Sequence, residues 1–168
     1  MSMALVQSTL ASGLEAMEPI DSEATAIQRF ADAFDDYFAG ASVTGIPVTP
    51  GTTAAAKAAM IGALAGLNTD AATAIQNGIT AYWGTVAPSA TTIWAGTVGP
   101  IIPPAVPPAG ISGIAAALTG VFSANTSGGL ALAAAAAAVA GAIHPTQLGG
   151  IVNLGPPPPG GTPGVPIL

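Results

Sequence analysis

Chemistry needs nucleophiles, acid–base groups or metal ligands at workable spacing, and this chain carries few of them. Its single histidine, His144, stands directly before Pro145 at the expected end of a helix. A histidine there can bond the last helical carbonyls, so it reads as a cap or surface residue. There is no cysteine, hence no disulfide, thiolate nucleophile or zinc–thiolate site. A Ser-His-Asp triad is a spatial arrangement that sequence leaves open, but no Gly-x-Ser-x-Gly elbow is present. Asp32, Asp35 and Asp36 interrupt a stripe of phenylalanines at helical spacing. A calcium loop would instead alternate its oxygen ligands and close on a glutamate at position twelve. These acids therefore read as a solvated helix face. Neither a phosphate-binding loop nor a convincing dinucleotide fingerprint occurs among the 22 glycines. No catalytic, cofactor-binding or metal-ligating residue is assigned, no small-molecule substrate is expected, and the chain reads as a non-enzyme.

The residues around those groups say more. Of 168 residues, 51% are hydrophobic and only 6% charged, where soluble domains carry about 25% charged residues. So little charge protects a monomer poorly against self-association, and a membrane or protein partners should cover much of the outside. Arg29 and Lys57 are the only basic residues, and the net charge is -6. Nucleic-acid binding neutralises several phosphates with Lys and Arg, so no nucleic-acid partner is expected. The opening residues lack the basic stretch of a secretory signal, and ordinary secretion is not expected. Seven acids and Arg29 fall within residues 15–36, and no Asp, Glu, Lys or Arg follows Asp70. One end of the chain is built for water and the rest for packing.

The elements follow from hydrophobic period. Val6, Leu10, Leu14 and Met17 share one helical face, and Pro19 stops that helix. Asp21 or Ser22 caps a second helix bearing Ile27, Phe30, Phe34 and Phe38, which Gly40 ends. Residues 41–51 read as a loop with some extended character. Thr52 or Thr53 opens a third helix lined by Met60, Ile61, Leu64 and Leu67. Asn68-Thr69-Asp70 breaks it and caps a fourth, with Ala71, Ile75, Ile79 and Tyr82 or Trp83. Pro88 ends or kinks that helix, and residues 89–99 form a short strand or a last helical turn. Five prolines between residues 100 and 110 predict a polyproline II connector. A fifth helix carries Ile111, Ile114, Leu118 and Val121 or Phe122. Asn125-Thr126-Ser127 caps a sixth, Ala-rich helix from about Leu130 to Ile143, with Pro145 just past its end. Helix–Asn-Thr–helix thus occurs twice, as a duplicated hairpin or as two uses of one capping sequence.

The expected fold is all-α: a small bundle of about six helices arranged as hairpins, with a Pro/Gly-rich connector and an extended C-terminal arm. Residues 1–40 read as an acidic amphipathic hairpin, 41–144 as an Ala/Gly-rich bundle with its connector near 100–110, and 145–168 as a docking arm. That arm lacks side chains with which to offset its own ordering entropy. Ile151, Val152, Leu154, Val165, Ile167 and Leu168 are its candidate interaction residues, seated in a neighbour's groove or added to a neighbour's sheet.

Residues Met3–Met17 and Asp21–Phe38, with the later Ala/Gly helices and the Pro/Gly arm, resemble small virion structural proteins of tailed bacteriophages. The resemblance covers residues 3–40 in pattern and the rest in composition. It implies a multi-copy component of a tail or baseplate, or of a neck or capsid, assembled in the host cytoplasm. Its partners would be other copies of itself, other virion proteins, or both. It carries over no functional residue. The competing class is a membrane-acting, holin-like protein with two spans. Against it, the alanine-rich run is about fourteen residues long where a span needs about 20 apolar residues, and no Lys or Arg flanks it.

Overall fold

The computed structural model describes residues 5–17, 22–39, 42–43, 46–47, 53–94, 107–128, 131–148, 151–152 and 165–166. Six α-helices dominate: α1 Gln7–Glu15, α2 Glu23–Ala39, α3 Thr53–Ala63, α4 Ala71–Trp94, α5 Ile114–Gly128 and α6 Leu132–Gln147. A 3-10 turn, Ala109–Gly113, leads into α5. Two antiparallel two-residue ladders complete the order: β1 Ser42–Val43 with β2 Ile46–Pro47, and β3 Ile151–Val152 with β4 Val165–Pro166. The chain is an all-α bundle.

The helices form a closed ring. Each packs on the one before it and the one after it, and α1 closes against α6. One contiguous core fills the ring, drawing Leu10, Phe30 and Phe34 from before residue 40 and Met60, Ile79, Leu118 and Ile143 from after it. Residue 40 is therefore not a boundary of the core. The hydrophobic stripes face inward: Phe30, Phe34 and Phe38 on α2, Met60 on α3, and Ala136, Ala140, Ile143 and Gln147 on α6. Val6, expected on the inner face of the first helix, is exposed.

Local chemistry sets several boundaries. Ser22 caps α2, its Oγ accepting the Thr25 N–H at 3.1 Å and lying 2.9 Å from Thr25 Oγ1. Asp70 caps α4 through Thr73 N at 3.1 Å. These bonds satisfy N–H groups that the first helical turn leaves without partners. The carboxyl of Asp70 is held below its ordinary range by the same Thr73 contacts. Gly66, with φ of 87°, makes the left-handed step between α3 and α4. Beyond the end of α1, Arg29 donates to the Met17 carbonyl, placing a cation where the α1 dipole is negative.

Two expected breaks are corrected. Pro145 lies inside α6, which runs on to Gln147. An interior proline costs about 3 kcal/mol, and here the turn beyond it is held from outside. Gln147 Oε1 accepts from Trp83 Nε1 of α4 at 2.8 Å, while within the turn itself Thr146 Oγ1 donates to the Ile143 carbonyl at 2.6 Å. Asn125-Thr126-Ser127 does not cap α6 but lies within α5. Each such residue costs a helix less than about 0.7 kcal/mol, so an established helix propagates through them. Ala131 occupies the α6 N-cap with no side-chain bond. The two Asn-Thr pairs are therefore not equivalent, since Asn68-Thr69 lies in a turn. At Pro88 the helical alternative holds: α4 continues to Trp94, so residues 89–94 are helical rather than strand. Gly40 and residues 100–106 of the proline-rich connector lie outside the described residues.

Glycine identity matters where helix backbones meet. A Cβ on Gly13 would stand 2.8 Å from Ala33 Cβ across the α1–α2 contact. Gly62, on α3, has open space around it. Gly13→Ala is expected to destabilise by about 1–3 kcal/mol through overpacking. Gly62→Ala is expected to stabilise by about 0.5–1 kcal/mol through helix propensity. Urea unfolding of both variants beside the parent checks the pair. Equal effects would mean that the α1–α2 approach is looser than described.

Candidate functional site

Two features stand out once the ring is assembled: a polar-tipped aromatic cluster at its centre and an apolar groove at one end. The cluster is built by α2 and α4. Phe34 meets Tyr82 edge-on at 5.1 Å between ring centroids, Phe38 meets Tyr82 at 5.1 Å, and Phe38 meets Trp83 at 5.3 Å. Tyr37 lies 5.8 Å from Phe34. Tyr37, Tyr82 and Trp83 are all but fully buried, so each polar tip needs a partner inside the protein.

Each tip has one. Tyr82 donates to Asp35 Oδ1 at 2.7 Å, Trp83 donates to Gln147, and Tyr37 Oη lies 2.9 Å from His144 Nδ1. Burial raises both tyrosine phenols well above their ordinary range, with Asp35 adding to the effect at Tyr82. Burial depresses His144 below its ordinary value. Lys57 bridges 3.0 Å to Asp32 and 3.9 Å to Asp35. Its ammonium is held above the ordinary value first by the Asp32 hydrogen bond, against a smaller desolvation effect.

This corrects two sequence readings. His144 is neither a cap nor a free surface residue: it is half-buried and holds α6 to α2. Asp35 belongs to the solvated acidic face in sequence, yet its side chain is only 18% exposed and receives a buried phenol. Tyr37 and Gln147 were not singled out at all. Tyr37 lies three residues from Phe34, on the same helical face. Gln147 lies four residues from Ile143 and becomes visible only once the helix is continued through Pro145. Chemically, the cluster pairs its polar groups with one another. Among the described residues no group of His, Cys, Asp and Glu could hold a metal ion.

The groove, about 340 Å³, opens where the C-terminal end of α1 meets α2, the α3–α4 turn, α5 and the start of α6. Leu14, Met17, Phe30, Leu67, Phe122 and Leu132 line it, and Asn68 is the one polar residue among its lining residues. Of the six candidate arm residues, the structure places Ile151, Val152 and Val165 in one ladder. Ile151 pairs with Pro166 and Val152 with Val165. Leu154, Ile167 and Leu168 lie outside the described residues. Among the described residues no helix is long and apolar enough to cross a membrane. No protein family matches the chain, and neither a curated protein nor a solved structure does.

Trp83→Phe would leave the buried Gln147 oxygen without its donor and is expected to cost about 1–3 kcal/mol. Adding Gln147→Met should recover part of that loss, because an apolar pair leaves nothing unsatisfied. A double-mutant cycle by thermal or urea unfolding measures the coupling. Strictly additive losses would mean that the bond contributes nothing.

Proposed function

We propose that the chain is a non-enzymatic structural or assembly subunit of a large protein complex. The observation that carries this reading is the outer surface of α5 and α6. Exposed positions there are Ala116, Ala117, Thr119, Gly120, Ser123, Ala133, Ala134 and Ala137, with Leu132 43% exposed. No Asp, Glu, Lys or Arg lies on either helix. The charged residues fall instead between Glu15 and Lys57, with Asp70 beyond them. An uncharged face of small side chains lacks the repulsion that keeps monomers apart, and it allows close backbone approach by another helix. Such a face suits burial against a partner.

The resemblance of residues 3–40 supports placing that complex in a bacteriophage particle, in the tail or baseplate or else the neck or capsid. In that setting the partners are further copies of this chain, other virion proteins, or both. The arm after Leu148, with Ile151, Val152, Leu154, Val165, Ile167 and Leu168, is the docking segment of this reading.

Light scattering of the full chain, of a chain cut after Leu148, and of an Ala117→Lys/Ala134→Glu variant tests the proposal. The two substitutions fall on exposed positions and should change stability by no more than about 0.5 kcal/mol each. The full chain is expected to form defined oligomers without detergent, and both altered forms to shift toward monomer. A full chain that stays monomeric at high concentration would sink the reading.

A further inference from the structure

The apolar groove lies at one end of the seam between α1 and α6, and the other end carries side chains that would fill it. The two helices run antiparallel. Leu14 and Met17 share the groove with Leu132 and Ala136, whereas Gln7 reaches Gly141, where an added Cβ would stand 3.4 Å from the Gln7 Nε2. Val6, just before α1, and Leu148, just after α6, therefore lie at the end away from the groove. They are 41% and 45% exposed, and with Leu132 on the groove's lip they are the exposed large hydrophobic residues among the described ones. The groove's 340 Å³, the size of a small-molecule pocket, leaves room for such aliphatic side chains. Anchors seated in apolar pockets carry most of the binding energy of an interface. We propose that the chain assembles head to tail, with the Val6–Leu148 end of one copy seated in the groove of the next.

Charge selects this pairing over groove against groove. Three carboxylates flank the groove. Glu15 follows Leu14 and is exposed, Glu23 Oε1 accepts the Asn68 N–H at 3.2 Å, and Asp70 lies two residues beyond Asn68. Arg29, bonded to the Met17 carbonyl, offsets one of them. Two grooves face to face would bring both sets of carboxylates together, and like charges across an interface oppose association. The seam residues at the opposite end, 5–8 and 143–148, contain no Asp, Glu, Lys or Arg.

Because the two surfaces differ, the contact is heterologous, and repeating it gives a ring or a filament rather than a closed pair. The inference rests on the reading of the chain as an assembly subunit and names which surfaces meet. Residues 149–168 continue from Leu148, so the same contact brings the arm to the next copy.

Sedimentation velocity of the full chain and of two full-length variants tests the contact. Val6→Asp/Leu148→Ser spoils the inserted end, and its aspartate supplies the side-chain oxygen that the α1 N-cap lacks. Leu132→Glu spoils the groove's lip, with an acid at the first residue of α6, where the helix dipole favours it. Each variant alone is expected to self-associate roughly tenfold more weakly than the parent, the effect of losing a buried anchor. An equal mixture regains one intact contact and should associate more tightly than either variant alone. A mixture that does not, or parent-like assembly of Val6→Asp/Leu148→Ser, would overturn the head-to-tail contact and leave the assembly reading standing. A parent that stays monomeric would sink both. The chain has no cysteine, so Leu132→Cys/Leu148→Cys with a short bis-maleimide gives a second measurement if either variant fails to fold. Cross-linked ladders beyond two copies are expected from the double variant and no cross-link from either single one. A double variant without a ladder, or dimers from Leu132→Cys alone, would overturn the contact.

Discussion

A buried aromatic side chain with a polar tip contributes packing area and imposes a demand, and this bundle depends on meeting that demand three times. Tyr37, Tyr82 and Trp83 lie against Phe34 and Phe38 at the centre of the ring, where an unpaired phenol or indole would cost about 1–3 kcal/mol. Their partners are Asp35, His144 and Gln147. The bonds join α2 to α6, α2 to α4 and α4 to α6. Two of them arrive in the last turns of α6, which holds that helix in register with the aromatic cluster. The registration lets α6 continue past a proline that would otherwise end it.

Small residues do the complementary work where one backbone comes close to a neighbouring element. A Cβ on Gly78 would come within 2.9 Å of Leu64 Cδ2, and one on Gly110 within 2.9 Å of the Thr146 Cα. The Gly110 contact is the more restrictive, because the backbone on the other side cannot rotate away. Close approaches of this kind let thin alanine-rich helices pack with little side-chain volume between them. The energetic weight then falls on the few large residues, each burying area at roughly 25 cal/mol per Å².

Helix existence and the inward stripes were legible in the sequence because Phe30–Phe34–Phe38 and Ile75–Ile79–Tyr82 follow the helical period cleanly. The caps at Ser22 and Asp70 were legible for the same reason: a short oxygen-bearing side chain precedes each periodic run. Helix ends near Pro145 and Asn125 were not. Local residue preference marks both as breaks, and only contacts from distant residues or helix propagation override it. The pairing of Tyr37 with His144 spans 107 positions, so no local pattern could reveal it. Asp35 looked solvent-facing because its neighbours Asp32 and Asp36 are; Tyr82 arriving from another helix changes its surroundings.

The ring closes between its first and last helices, and that seam has a consequence during synthesis. Of the six helices α1 is made before the others, yet one of its two neighbours is the last of the six. Until residue 147 has left the exit tunnel, the side of α1 that will meet α6 has no native partner. The intermediate helices pack mainly on sequence neighbours and can assemble as they appear, a low-contact-order arrangement that favours rapid folding. The nascent chain is thus an open arc with one apolar lip exposed at its leading edge. Any surface that captures that lip before α6 arrives competes with ring closure, so the order of translation itself bears on whether a monomer closes or joins a neighbour.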